Sequence, residues 1–305
     1  MGHAAGKRQG SRDLKAHFQK KRSASCEEDA RTFLPQDLQR ARAVQDAFAP
    51  RPCPDCAHMP IALRKLMRNG IGGDFHQFTR PDLNRRGFLI GDATGFGVAS
   101  AMVTALIYGL TTHLAREVDS PSQLLSELNR ALFELNSQAE GKLDLFSATV
   151  FYSSTNVVTG ELSYANAGHV PPLVVPPCEE APVLLEPTGP PLGFFPSWPG
   201  SARVMRPQEK SKLVLYTDGL VEAQDHRGDS YGLHRWAQFL SARRNLEGAR
   251  LADEAFREVA EYVGPSGFRD DVTLMVVDFA FFGKHCGLCV SDRTEPVAEA
   301  PTSSG

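Results

Sequence analysis

The apolar positions of this chain form two kinds of run, helical and extended, and the kinds are grouped along the sequence rather than alternated. From Asp37, the residues Leu38, Ala41, Val44 and Phe48 share one helical face and Pro50 closes it, which predicts a short amphipathic helix over 37–49. The stretch 50–60 is too rich in proline and cysteine for regular structure and reads as a connector. Ile61 to Met67 and Gly73 to Phe78 read as strands, and Pro81-Asp82-Leu83-Asn84 is a turn into the run Gly87-Phe88-Leu89-Ile90. That hairpin predicts Asp74 and Asp92 at the same end of a sheet.

Helices then interrupt the strands. Gly95 and Gly97 permit a sharp turn before the apolar run Val98 to Leu114, and Ser120 as N-cap with Pro121 at the first helical position starts a second helix whose buried side carries Leu124, Leu125, Leu128, Leu132 and Leu135. Ala148 to Tyr152, Leu162 to Asn166 and Pro172 to Val175 read as an antiparallel meander. Residues 187–200, dense in proline and glycine, read as an irregular segment bordering a substrate groove. Lys212 to Tyr216 is a continuous apolar strand that delivers Asp218, helices follow near Leu233 to Arg243 and Leu251 to Val263, and Val272 to Phe279 is the last strand. Grouped helices and grouped strands predict an α+β sandwich with helices outside antiparallel sheets.

Composition narrows the class. The chain has 305 residues, 42% of them hydrophobic, enough for a sizeable core, and a formal net charge of -3 that gives no field favouring nucleic acid or an anionic membrane. Lys7, Arg8, Arg12, Lys15, Lys20, Lys21 and Arg22 crowd a segment poor in apolar residues, so 1–36 reads as a basic flexible tail without a signal-peptide pattern. The longest apolar run, Val98 to Leu110, is well short of the roughly 18 residues that a membrane span needs. No membrane partner, no nucleic-acid partner and a cytoplasmic location are the expectations. The pairs Cys53/Cys56 and Cys286/Cys289 have a spacing that suits two thiolates on one zinc ion, redox chemistry, or plain reduced thiols; the second pair lies in a tail, 281–305, that reads as disordered.

The candidate chemistry lies in carboxylates placed beside glycine or beside each other: Gly72-Gly73-Asp74-Phe75, Gly91-Asp92, Thr217-Asp218-Gly219 and Asp270-Asp271. Taken singly, an Asp-Gly at a strand end is also an ordinary turn. Taken together, carboxylates without matching histidines or thiolates are hard ligands suited to Mg²⁺ or Mn²⁺. A set of them can hold two cations about 3.5–4 Å apart, an arrangement suited to phosphoester hydrolysis.

These motifs occur in the order Gly72-Gly73-Asp74-Phe75, Gly91-Asp92-Ala93-Thr94-Gly95-Phe96-Gly97, Tyr164-Ala165-Asn166-Ala167-Gly168-His169, Leu215-Tyr216-Thr217-Asp218-Gly219-Leu220-Val221-Glu222-Ala223 and Asp270-Asp271-Val272-Thr273. In that order they resemble the metal-dependent (type 2C, PPM) protein serine/threonine phosphatases, in particular the bacterial SpoIIE/RsbU-type branch, over about residues 37–280. The resemblance implies a four-layer α/β/β/α sandwich with two central antiparallel sheets and two Mn²⁺ or Mg²⁺ ions at one end. It implies a phosphatase acting on phosphoserine or phosphothreonine in a protein, such as an anti-sigma antagonist, with a metal-bridging water as nucleophile. By motif position it implies Asp92 and the Ala93 carbonyl, Asp218, Asp270 and Asp74 as metal-site residues, with Asp271 where the family has asparagine or a second aspartate. It also suggests an activating partner or self-association acting through the 37–49 helix.

Three positions depart from the family pattern. Gln77 stands where a second acidic residue often lies, Phe96 where the glycine loop commonly carries lysine, and His76 where an aromatic residue is frequent. Strand alternation puts His76 on the face of Asp74, making it a candidate general acid. His169 is expected to order a loop by hydrogen bonding. A pseudophosphatase that binds metal and recognises a partner is the alternative, kept open by Gln77 and Phe96.

Overall fold

A computed structural model of the protein describes residues 36–48, 59–68, 70–138 and 146–280. The basic tail up to residue 35, the proline-cysteine connector up to residue 58, the C-terminal tail and with them Cys53, Cys56, Cys286 and Cys289 lie outside the described residues. The chain divides into two compact units, Met1–Ala47 and Phe48–Gly305. Of the first, the structure describes residues 36–47, which with Phe48 form the helix 36–48 (α1), whose surface carries the ion pairs Arg40–Asp37 (3.6 Å) and Arg42–Asp46 (3.8 Å). Exposed pairs at these helical spacings contribute a few tenths of a kcal/mol, about 0.3–0.5 each.

The second unit holds two sheets. In chain order its elements are β1 (Ile61–Leu66), β2 (Asp74–Thr79), β3 (Arg85–Ala93), α2 (Val98–Leu114), α3 (Pro121–Gln138), β4 (Ala148–Asn156), β5 (Leu162–Ala167), β6 (Leu173–Val175), β7 (Val183–Leu184), β8 (Arg203–Met205), β9 (Lys212–Tyr216), α4 (Asp218–Val221), α5 (Leu233–Ala242), α6 (Gly248–Val263) and β10 (Val272–Asp278). One sheet runs β1-β10-β9-β6-β7, the other β2-β3-β4-β5-β8, and every pairing is antiparallel.

Alternation along each strand builds the layers. Leu213, Leu215, Met275 and Val277 meet Phe88, Ile90 and Phe151 in a core between the sheets, while Val214, Tyr216, Leu274 and Val276 pack outward with Trp236, Leu240, Leu251 and Val259 of α5 and α6. Phe75, Leu89, Val150 and Tyr152 face Ile107, Leu124, Leu128 and Leu132 of α2 and α3. The result is the α/β/β/α sandwich. Because both faces of β9 and β10 are buried, those strands read as continuous apolar runs rather than alternating ones, and each fully buried Leu or Val there contributes about 1.5–3 kcal/mol.

The structure departs from the sequence pattern where partners are distant in sequence. The third strand of the predicted meander, β6, leaves its neighbours and pairs with β9 in the other sheet. The short strands β7 and β8 have too few residues to show a period. Helix α6 begins at Gly248, ahead of the periodic run that opens at Leu251, because Asp278 of β10 accepts the Gly248 N–H (3.0 Å) as a cap from across the fold. The Ser120 cap is present as expected, its hydroxyl accepting the Gln123 N–H (3.3 Å). No helix among the described residues is long and apolar enough to cross a membrane.

Candidate active site

The antiparallel register of β2 and β3 sets Asp74 directly opposite Asp92, and that of β9 and β10 sets Tyr216 opposite Leu274, so Asp218 follows the end of one strand while Asp270 and Asp271 precede the start of the next. All five carboxylates therefore emerge at one end of the sandwich. Asp74 ties the two sheets together. Its Oδ2 accepts the hydroxyls of Thr217 (2.8 Å) and Thr273 (2.7 Å), and the threonines join each other, the Thr217 N–H donating to the Thr273 carbonyl (3.0 Å) and the Thr273 N–H to Thr217 Oγ1 (2.9 Å). Both threonines lie within the motifs, yet neither residue type suggests a role holding a carboxylate from another sheet.

Glycines permit the close approach. A Cβ at Gly73 would stand 2.4 Å from the Ala93 carbonyl oxygen and 2.5 Å from Asp92 Oδ1, and one at Gly219 would stand 2.0 Å from the Asp271 carbonyl oxygen. Any side chain at either position would push apart the strand ends that present the aspartates. Asp271 is held on the other side by the Arg68 N–H (2.7 Å), and its own N–H donates to Asp270 Oδ1 (2.8 Å).

The electrostatics follow from burial and crowding. Asp92 is pushed up to about 8 by burial and then by the charges of Asp74, Asp218, Asp270 and Asp271. Asp74, 3% exposed, is raised to about 7 by burial, against the pull of its two threonine hydroxyls and Lys65. Burial, with Glu222 and Asp270, raises Asp218; burial, against the Arg68 N–H, raises Asp271. Among the described residues no three His, Cys, Asp or Glu side chains already stand in a closed ligand set. The convergence is one of mutually repelling charges, which a bound cation would relieve.

The departures fall into place on the strand faces. Gln77 lies on the opposite face of β2 from Asp74 and donates to Thr112 Oγ1 of α2 (2.7 Å), so an acid there would meet a helix rather than the other aspartates. His76 shares the face of Asp74 but is 2% exposed between the sheets, edge-on to Phe78 at 5.9 Å, with neither ring nitrogen hydrogen-bonded. Burial lowers it to about 3, so near neutral pH it is the neutral imidazole and not the imidazolium that a general acid needs. The general-acid expectation is corrected to a packed, neutral imidazole. Phe96, by contrast, is 86% exposed on the loop that follows Asp92.

His169 orders a loop, as expected, and also links the sheets. Its Nε2 is 3.1 Å from the Tyr216 carbonyl and its Nδ1 3.0 Å from Thr149 Oγ1, which fixes the tautomer: Nε2 carries the proton and Nδ1 accepts the threonine hydroxyl. Burial lowers its pKa to about 4 despite the carbonyl. A neutral buried histidine contributes stability that is fully present above its unfolded value near 6.5 and is lost as pH falls through the folded value. We expect His169 to account for about 3 kcal/mol of stability lost between pH 6.5 and 4. Urea unfolding of the parent and of His169→Gln at both pH values checks this. The parent should lose more stability than the variant by that amount, and parallel losses would refute it.

An acidic end on a four-layer sandwich of this topology defines a PP2C-type phosphatase fold, and the PP2C domain of SiaA from Pseudomonas aeruginosa superposes on 82% of this chain and 98% of its own with a TM-score of 0.70 at 20% identity. The chain belongs to the Stage II sporulation protein E (SpoIIE) family, whose model matches residues 83–280. It is 29% identical over 152 residues to the phosphoserine phosphatase RsbP of Bacillus subtilis (strain 168), covering 50% of this chain and 37% of RsbP. It is 24% identical over 195 residues to the phosphoserine phosphatase RsbU of the same organism, covering 64% of this chain and 56% of RsbU. The chain thus spans only part of these relatives' lengths.

Proposed function

We propose that this chain is a metal-dependent protein phosphatase that removes phosphate from phosphoserine or phosphothreonine of a protein substrate, an anti-sigma antagonist being the kind its family suggests. The observation that supports this most is the set of aspartates at one end of the sandwich, where burial and then mutual repulsion raise Asp92 to about 8. An all-oxygen donor set of that charge suits Mn²⁺ or Mg²⁺ rather than zinc. In this reading Asp92, the Ala93 carbonyl, Asp74, Asp218 and Asp270 would hold the cations, with Asp271 beside them. When bound, such ions supply Lewis acidity that activates water and neutralises phosphate charge.

The chain's own residues do the rest. Thr217 and Thr273 fix Asp74 and thereby the spacing between the sheets, Gly73 and Gly219 allow the strand ends to close, and the Arg68 N–H orients Asp271. Leu38 and Val44 are exposed on α1, which fits an activating partner or self-association on that helix.

Hydrolysis of a small aryl phosphate is expected with Mn²⁺, to vanish with chelator, and to fall at least a hundredfold in Asp218→Asn, a loss typical of removing one preorganised electrostatic group. Activity that survives chelation or the substitution would remove the mechanism. A folded chain without turnover on any phosphoprotein would point to the pseudophosphatase. Unchanged activity and oligomeric state after removing residues 1–49 would exclude a role for α1.

A further inference from the structure

Resting on the phosphatase reading, we propose that the acidic site continues into an apolar rim formed by Phe96, Val98, Met102, Phe194 and Phe195, which selects phosphoprotein segments with a large apolar residue next to the phosphorylated one. The exposures of these side chains are 86%, 49%, 69%, 46% and 46%. Single exposed apolar residues are ordinary, but several gathered beside a reactive centre mark a recognition surface.

The gathering follows from shared anchors. Asp92 and Ala93 of β3 pair with Thr149 and Ala148 of β4, so the residues just before β4 border the carboxylates. The Phe96 loop is fastened there by the Thr94 N–H to the Ser147 carbonyl (2.9 Å) and by the Thr94 and Ser147 hydroxyls (2.5 Å). The Phe194–Phe195 segment is fastened to the same stretch: the Leu192 N–H donates to the Ala148 carbonyl (2.9 Å), and a Cβ at Gly193 would stand 2.5 Å from the Phe146 carbonyl oxygen. Both sets of rings therefore hang from residues 146–148.

These rings ride on a pinned backbone. Asn129 of α3 accepts the Gly193 N–H (3.0 Å) and donates to the Phe195 carbonyl (2.9 Å), while Asn136 donates to the carbonyls of Phe146 (2.8 Å) and Gly193 (3.0 Å) and accepts the Phe146 N–H (2.8 Å). Gly95 and Gly97, at φ 98° and 72°, flank Phe96 with turns that L side chains rarely adopt, and a Cβ at either would meet nothing within 4 Å among the described residues. Exposed rings on a fixed backbone are preorganised for a partner. Phe96, which cannot contact a phosphate by charge, contacts the side chain beside it.

The test uses the full chain with Mn²⁺ and two phosphonate analogues of a phosphoserine peptide that cannot be hydrolysed, identical except for leucine or serine flanking the phosphoresidue. Fluorescence anisotropy should show the leucine peptide binding about tenfold more tightly, the worth of one large apolar side chain buried in part. Phe96→Ala and Phe194→Ser should each bring that ratio toward one, and Leu83→Ser should leave it, since Leu83 is exposed on the β2–β3 turn away from the strand ends that carry the aspartates. Equal affinities in the parent, or a ratio that survives in both phenylalanine variants, would overturn the rim. A dimer converted to monomer by Phe96→Ala would overturn it in favour of a second copy of the chain. Aryl phosphate hydrolysis measured alongside separates the two readings: a leucine preference without hydrolysis sinks the phosphatase, and hydrolysis without the preference sinks the rim.

Discussion

Asp92→Asn is expected to lose phosphatase activity by roughly a thousandfold or more, above the 10- to 100-fold typical of losing a group that only orients a metal ligand, while making the metal-free protein more stable. Both effects have one cause. Asp92 sits opposite Asp74 in the strand register and feels Asp74, Asp218, Asp270 and Asp271 together. Its charge would help hold bound cations; without cations, ionising it against its neighbours and away from water is unfavourable. The amide keeps shape and hydrogen-bonding capacity but removes the charge, so turnover with Mn²⁺ and thermal melting in chelator should move in opposite directions. A variant that loses activity and stability together would mean that Asp92 serves packing rather than charge.

Metal removal is expected to steepen the loss of stability with rising pH that the acidic end contributes. In the metal-free protein Asp74 and Asp92 have folded values raised to about 7 and about 8 from 3.8. Between those limits the folded state holds more protons than the unfolded one, so their contribution to stability falls as pH rises from about 4 to 8. Cations that bind only the folded carboxylates oppose this, and their effect grows as the carboxylates ionise. At a hundred times its dissociation constant, such a cation adds about 2.7 kcal/mol, or roughly 5–10 °C in melting temperature for a domain of this size. Melting curves with Mn²⁺ and with chelator from pH 5 to 8.5 should diverge as pH rises. Curves that stay parallel would show that the carboxylates bind no cation. The His169 contribution has the opposite sign and lies between pH 4 and 6.5, so measurements above pH 7 isolate the acidic end.

The elements that sequence pattern predicts well are those whose cause is local. Val98–Leu114 is a helix in the structure as in the periodicity, Ser120 caps as its side chain suggests, and Pro81–Asn84 turns the hairpin that pairs Asp74 with Asp92. A hairpin register is set by its turn and by alternation, so this half of the site is legible before any fold is known. Asp218, Asp270 and Asp271 are legible as strand-end carboxylates, and the motif order names their family. What they face is not legible, because β9 and β10 bring together residues far apart in the chain.

Tertiary structure alone decides the rest. It sends β6 to the other sheet and closes α6 with Asp278. It gives the two motif threonines their work on Asp74 and makes His76 inert by burial, although alternation places it on the face of the aspartates. It turns Gln77 to a helix and leaves Phe96 in solvent beside Asp92. The sequence by itself determined which carboxylates this protein has and which strand ends carry them, since residue type, alternation and turn chemistry act over a few positions. Their gathering into one charged end came only from packing two sheets face to face, and the proposed apolar rim from distant loops fastened to the start of β4. The burial and repulsion that give those groups their chemistry arise between residues that sequence distance does not relate.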